Sequence, residues 1–395
     1  MVNQSSSPAR LIAIDAFRAV TMLLMIFVND FWTLKDIPIW LEHAQAADDA
    51  LGFSDIIFPV FLFIVGLSIP LAIQNRLKKN VPVFKIFQHI LLRSLALLII
   101  GICHVNLENY SDQAWLARPI WTILITISFF LIWLDYPKNA KKTSLVLQIS
   151  GLVLLGGLLL IYKGDSPEGL IWMRPQWWGI LGLIGWSYLL VSLIFLFTKG
   201  KLIIQFAALI FFLLFNCATN LGWLQPLNHI REYVWIIGDG SMPALVMAGL
   251  ITFMFYSKGI LSDRRFWIYI AVISITMILF GLFTRPLWGI SKIRATPSWT
   301  TICIGISALS FALMVFLMDL KGIKGWYNWI KPAGVSTLTC YLLPYIHVAF
   351  LQMIEFRLPP ELRTGGIGLT KSFIFSLIII QIVGFLQKQS IRLKL

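Results

Sequence analysis

Residues 40–66 read WLEHAQAADDALGFSDIIFPVFLFIVG. From Ile56 the stretch opens an apolar run that continues to about residue 75, long enough to cross a hydrocarbon core. Ahead of that run stand one histidine, His43, and four acids, Glu42, Asp48, Asp49 and Asp55. A run of this length predicts a membrane helix, so the ionisable residues crowd a membrane boundary. Charges in such a place are expensive and point to a function.

The same alternation of apolar runs and short polar segments extends through all 395 residues. The chain is 58% hydrophobic and 13% charged, about half the charged share of an ordinary soluble domain. Twelve spans can be placed, at about 11–33, 53–75, 86–106, 118–134, 143–162, 177–198, 202–220, 241–257, 266–284, 299–318, 333–355 and 372–387. The expected fold class is all-α, a polytopic membrane helix bundle of about 12 transmembrane helices with 10–12 allowed, forming one domain over 1–395. The segment MVNQSSSPAR (1–10) runs straight into the first span without a small-residue cleavage site, so that span is expected to stay as helix 1.

The net charge of +14 is not the mark of a nucleic-acid binder. Lys and Arg gather in short segments between spans, at RLKKN (76–80), PKNAKK (137–142), KGK (199–201) and DRR (263–265), and no basic stripe interleaved with stacking aromatics occurs. This bias puts both termini in the cytoplasm and the 34–52 loop outside. The four cysteines, Cys103, Cys217, Cys303 and Cys340, lie in or at the ends of apolar runs without CxxC spacing, so neither a metal site nor a disulfide framework is expected.

The polar residues within or beside the spans are the candidate site. Asp15 and Arg18 are three apart and share a helical face, and Arg93 lies in the third span. Asn29 and Asp30 end the first span, about 16 Å from Arg18 along a helix. Each also has a purely structural reading. Asp15 and Arg18 suit a buried pair, Arg93 a snorkelling cation, and Asp55 a carboxylate at a helix N-terminus. His43 suits an exposed loop histidine.

Four pieces of the 10–66 block keep a distinctive order: RLIAIDAFRA (10–19), MIFVN (25–29), EHAQ (42–45) and SDIIFPVFLFIVG (54–66). In this order they resemble the catalytic opening of the heparan-α-glucosaminide N-acetyltransferase family and its bacterial relatives. Weaker matches are LLRSLALLIIG (91–101), GDGSMPALVMAGL (238–250), TPSW (296–299) and GVSTLTCYL (334–342). Three departures from the family pattern stand out: Ala19 in place of glycine, Ser336 in place of asparagine, and no glutamine-arginine pair in RPIWTILITISFF (118–130). The chain also exceeds the ten spans of the family core, the extra helix pair being placed at 177–220.

The resemblance implies a transmembrane acetyltransferase that moves an acetyl group from cytosolic acetyl-CoA, as co-substrate and without a metal, to the amine of a glucosamine-like amino sugar on the other side. Arg18 and Arg93 would hold the donor phosphates, with Asp15 supporting them. His43 would act as general base or acetyl carrier, Asn29 as oxyanion donor and Asp55 as the carboxylate that orients the imidazole. Asp30, Asp48 and Asp49 would face the cationic acceptor. The expected partners are the amino sugar, membrane lipid and a second copy of the chain in a homodimer, and the expected location is the bacterial cytoplasmic membrane. Two other readings stay open, a membrane O-acyltransferase of cell-surface glycans and a 12-helix secondary transporter.

Overall fold

The computed structural model describes residues 12–137, 139, 141–258 and 264–395. Arg10, Leu11, Lys138 and Asp263, which belong to stretches singled out above, lie outside the described residues. Fourteen α-helices follow in chain order: α1 (Ile12–Asn29), α2 (Ser54–Lys78), α3 (Val83–Val105), α4 (Arg118–Trp133), α5 (Lys141–Leu160), α6 (Ile180–Phe197), α7 (Leu202–Asn220), α8 (Asn228–Tyr233), α9 (Ser241–Lys258), α10 (Arg264–Trp288), α11 (Pro297–Val315), α12 (Tyr327–Val335), α13 (Thr337–Met353) and α14 (Gly365–Lys388). The only strands among the described residues are β1 (Gly164–Ser166) and β2 (Gly169–Ile171), a small antiparallel hairpin between α5 and α6.

Among the described residues nine helices are long and apolar enough to cross a membrane, and a tenth span is made by α12 and α13 together. The fold is an all-α polytopic bundle, and the protein is a multi-pass membrane protein. Two of the expected spans correspond to shorter apolar helices, α4 and α9. The reason is clear for α9, which is buried at every position from Ser241 to Met254. A helix enclosed by protein on all sides need not match the lipid thickness, because protein and cavity groups can satisfy the backbone at its ends.

The expected span 333–355 is broken. α12 and α13 meet at an angle of 88°, with Ser336 at the break at φ −118° and ψ 48°. Pro332 cannot donate within α12, and the Ser336 amide closes that helix on the Pro332 carbonyl at 2.8 Å. The two helices of this broken segment therefore lie almost perpendicular to each other.

The central contact is the crossing of α2 and α9. A Cβ at Gly66 would run into the Val246 carbonyl, and a Cβ at Gly249 would run into the Phe63 carbonyl. These two glycines let the backbones touch, as small residues do at helix crossings in membranes. α1, α2, α6 and α11 are mostly buried around this crossing, while α5, α7 and α14 expose most of their surface on the outside. That division matches inner helices packed on protein and outer helices facing lipid.

Candidate active site

The segment between α1 and α2 closes on itself before α2 begins. The Phe53 amide donates to the Trp40 carbonyl at 2.8 Å, and Ser54 Oγ donates to the Leu41 carbonyl at 2.6 Å. Gly52 permits this closure, since a Cβ there would collide with the Glu42 carbonyl. The closure swings His43 over Asp55, the second residue of α2.

His43 Nδ1 lies 2.7 Å from Asp55 Oδ1, and Asp55 Oδ2 accepts from the amides of Ala44 at 3.0 Å and Gly52 at 3.2 Å. Asp55 is 1% exposed and His43 is 46% exposed. A buried carboxylate with two backbone donors on one oxygen turns the other to the imidazole. That arrangement favours the Nδ1–H tautomer and leaves Nε2 as the basic nitrogen. Trp299 Nε1 of α11 donates to the Asp55 carbonyl at 3.2 Å and fixes the start of α2 from the far side.

A second loop, 289–296 between α10 and α11, is tied down on the first. Asp49 accepts from Arg285 Nε at 2.8 Å and from the Ile290 amide at 2.7 Å, and the Ala50 amide donates to the Ile290 carbonyl at 3.2 Å. The Arg285 hydrogen bond, with that of Ile290, holds the Asp49 carboxyl below its ordinary range. This loop delivers Lys292, whose Nζ lies 3.2 Å from His43 Nδ1 and 3.8 Å from Asp55 Oδ1. Burial lowers the Lys292 pKa and the Asp55 charge partly offsets it.

Three cavities run through the bundle. The first, about 340 Å³, is lined by Arg18, Arg93, Ser68, Tyr188, Gly334 and the C-terminal residues Leu393–Leu395. Arg18 donates to Ser68 Oγ at 2.7 Å and to the Gly334 carbonyl at 3.2 Å, and lies 3.4 Å from Asp15. The Arg93 guanidinium sits 4.8 Å from the Tyr188 ring centre. The second, about 600 Å³, is lined by Asn29, Asp30, Glu108, Arg118 and Tyr345. Met22, Ile180 and Tyr341 line both, so the two cavities adjoin. The third, about 1210 Å³, is lined by His43, Asp55, Lys292, Arg174, Arg231 and Asp239 together with Trp177, Trp178 and Trp235, and shares Ile180 with the other two. Burial pushes the Asp239 carboxyl up to about 6.

The residues singled out in the sequence thus fall into four groups. His43 and Asp55 are in contact, and Arg18, Asp15 and Arg93 gather at the opposite end of α1. Asn29 lines the second cavity and not the third, so it is a neighbour of the His43 cavity and does not face it directly. Asp30 accepts from Lys371 Nζ at 2.6 Å and from Ser372 Oγ at 2.5 Å, which ties α1 to α14. Asp48 holds its own loop through the Gln45 amide at 2.8 Å, and Asp49 holds the 289–296 loop. Lys292, Arg174, Arg231 and Asp239 were not anticipated. Lys292 had a trace in the sequence, a lysine close ahead of TPSW (296–299), but nothing there ties it to His43.

The family model described as a domain of unknown function (DUF5009) matches residues 10–227, more than half of the chain. Heparan-alpha-glucosaminide N-acetyltransferase from Homo sapiens is 36% identical over 110 residues, and that from Mus musculus is 34% identical over 109 residues. Each match covers 27% of this chain and 15% of the relative's length. The chain belongs to the DUF5009 family and is related to the heparan-alpha-glucosaminide N-acetyltransferases.

Proposed function

We propose that this protein is a transmembrane acetyltransferase that takes acetyl groups from acetyl-CoA at the Arg18 and Arg93 end and passes them to an amino sugar in the His43 cavity. The observation that carries this reading is the line of adjoining cavities. They run from two arginines, past Met22, Tyr341 and Ile180, to a histidine paired with a buried carboxylate. Two guanidiniums suit the phosphates of a nucleotide-bearing donor. The first two cavities are smaller than the third and are assigned to the extended arm of the donor, and the third, about 1210 Å³, has room for a sugar among tryptophan faces.

The chemistry follows from the residues. His43 Nε2 accepts a proton as the acceptor amine attacks the thioester carbonyl, and Asp55 stabilises the imidazolium that forms. Asn29 lines the adjoining second cavity and approaches from the donor side, donating to the developing oxyanion when the thioester spans the junction of the two cavities. The carbon–sulfur bond then breaks, and the departing thiolate takes the proton back from the imidazolium. Asp15 supports Arg18 at the donor end. Asp30 and Asp49 serve the reaction indirectly, by fixing the helices and loop around it.

The test is transfer of radiolabelled acetyl from acetyl-CoA to glucosamine, and then to a panel of amino sugars, by the purified protein in liposomes. N-acetylated product supports the reading. Acetyl-CoA binding with product only on hydroxyl acceptors would replace it with O-acyl transfer, and solute flux without acetyl-CoA would replace it with a transporter.

A further inference from the structure

Lys292 stands where a general base would be most sensitive to charge. His43 Nδ1 has one position in the ring plane for a hydrogen bond, and Asp55 Oδ1 takes it at 2.7 Å. The Lys292 ammonium lies 3.2 Å from the same nitrogen, too close to be indifferent to whether the ring carries a charge. The lysine is not there by chance of a long side chain. Asp49, Ala50 and the Ala46 carbonyl, which accepts from Ser291 Oγ at 3.3 Å, clamp the loop at Ile290 and Ser291, directly ahead of it.

The groups that face this cluster are few. Asp55 approaches from α2, and the fully buried Cys303 thiol, a neutral group, lies on α11. Across the cavity stand Arg174, Arg231, Glu232 and Asp239. An unopposed buried carboxylate at 2.7 Å favours imidazolium, and a protonated histidine cannot act as a base. A cation at 3.2 Å opposes that same protonation.

We propose that Lys292 is a positioning residue for the base: its ammonium holds the His43 imidazole uncharged, and so competent to accept a proton, while balancing the buried Asp55 carboxylate. This rests on the acyl-transfer reading for its purpose, although the charge effect can be tested without it. A unit charge at this distance, screened as in water, shifts a neighbouring titration by about one pH unit.

The test is the pH dependence of His43 carbethoxylation by diethyl pyrocarbonate, which consumes the neutral imidazole, read by peptide-resolved mass spectrometry on the full-length protein in detergent. Lys292→Met and Lys292→Gln should both move the His43 midpoint up by about one unit, and Lys292→Arg should keep it near the wild-type position. The acid limb of kcat/KM for acetyl transfer should move with it. A midpoint that moves by less than a few tenths of a unit in both neutral variants, each shown to be folded by its tryptophan fluorescence, overturns the proposal and leaves Lys292 as a structural partner of Asp55. A shifted midpoint in a protein that transfers no acetyl group overturns the acyl-transfer reading and leaves the charge relation standing.

Discussion

Substituting asparagine for Asp55 replaces one oxygen of a carboxylate that accepts three hydrogen bonds at once, from His43 Nδ1 and from the amides of Ala44 and Gly52. The asparagine carbonyl can keep both amides, so the loop closure survives. Its amide group must then face His43 Nδ1 and donate to it, which forces the imidazole into the Nε2–H tautomer. A ring with its proton on Nε2 offers the cavity a donor where the reaction needs an acceptor. The loss of one charge-assisted hydrogen bond amounts to about 1.5–3 kcal/mol, or roughly 10- to 150-fold in rate. The wrong tautomer adds to that. Initial rates of labelled acetyl transfer in liposomes should fall by at least about 10²-fold, with little change in the thermal transition followed by tryptophan fluorescence. A variant within threefold of wild type would refute the orienting role assigned to Asp55.

Other perturbations probe the donor end, the packing and the loop clamp. Arg18→Ala and Arg93→Ala should each raise the KM for acetyl-CoA by about tenfold, the size of one lost charge-assisted contact, with a smaller effect on kcat. A change confined to the acceptor KM would count against the donor assignment. Gly66→Ala should destabilise the crossing of α2 and α9 by about 1–3 kcal/mol through overpacking, seen as a lower thermal transition; an unchanged transition would mean that the backbones can part at no cost. The Asp49 carboxyl is held below its ordinary value of 3.8 by Arg285 and the Ile290 amide. Its contribution is therefore complete above that value and is lost as pH falls below it. Labelling of Lys292 by amine reagents after brief acid exposure should increase below about pH 4 in wild type, and Asp49→Asn should show increased labelling at neutral pH. Equal labelling in both proteins would remove Asp49 from the clamp.

Much of this molecule is legible in its sequence, and the reasons differ from part to part. The spans are readable because lipid demands long apolar runs, and a run such as SDIIFPVFLFIVG leaves little choice of structure. The proximity of His43 and Asp55 is readable because twelve residues separate them across a helix start, with Gly52 allowing the turn. The break at Ser336 is harder to see. Pro332 signals it, but Pro59 and Pro70 sit inside α2 without breaking that helix. Local composition cannot distinguish a proline that neighbouring helices accommodate from one that ends a span. The partners of the acids are hidden for a different reason. Asp30 meets Lys371, Asp49 meets Arg285, and Lys292 meets His43 across most of the chain's length, and only the packing of the bundle decides those pairings.

The most direct test of the central claim compares wild type with His43→Ala in one assay, measuring labelled acetyl transfer from acetyl-CoA to an amino-sugar acceptor by protein reconstituted in liposomes. The account expects clear transfer by wild type and, for the variant, loss to background with acetyl-CoA binding intact, since the donor cavity lies at the other end of α1. Transfer that persists in His43→Ala at a rate near wild type would contradict the account, because the reaction would then be using a base other than the one this cavity presents.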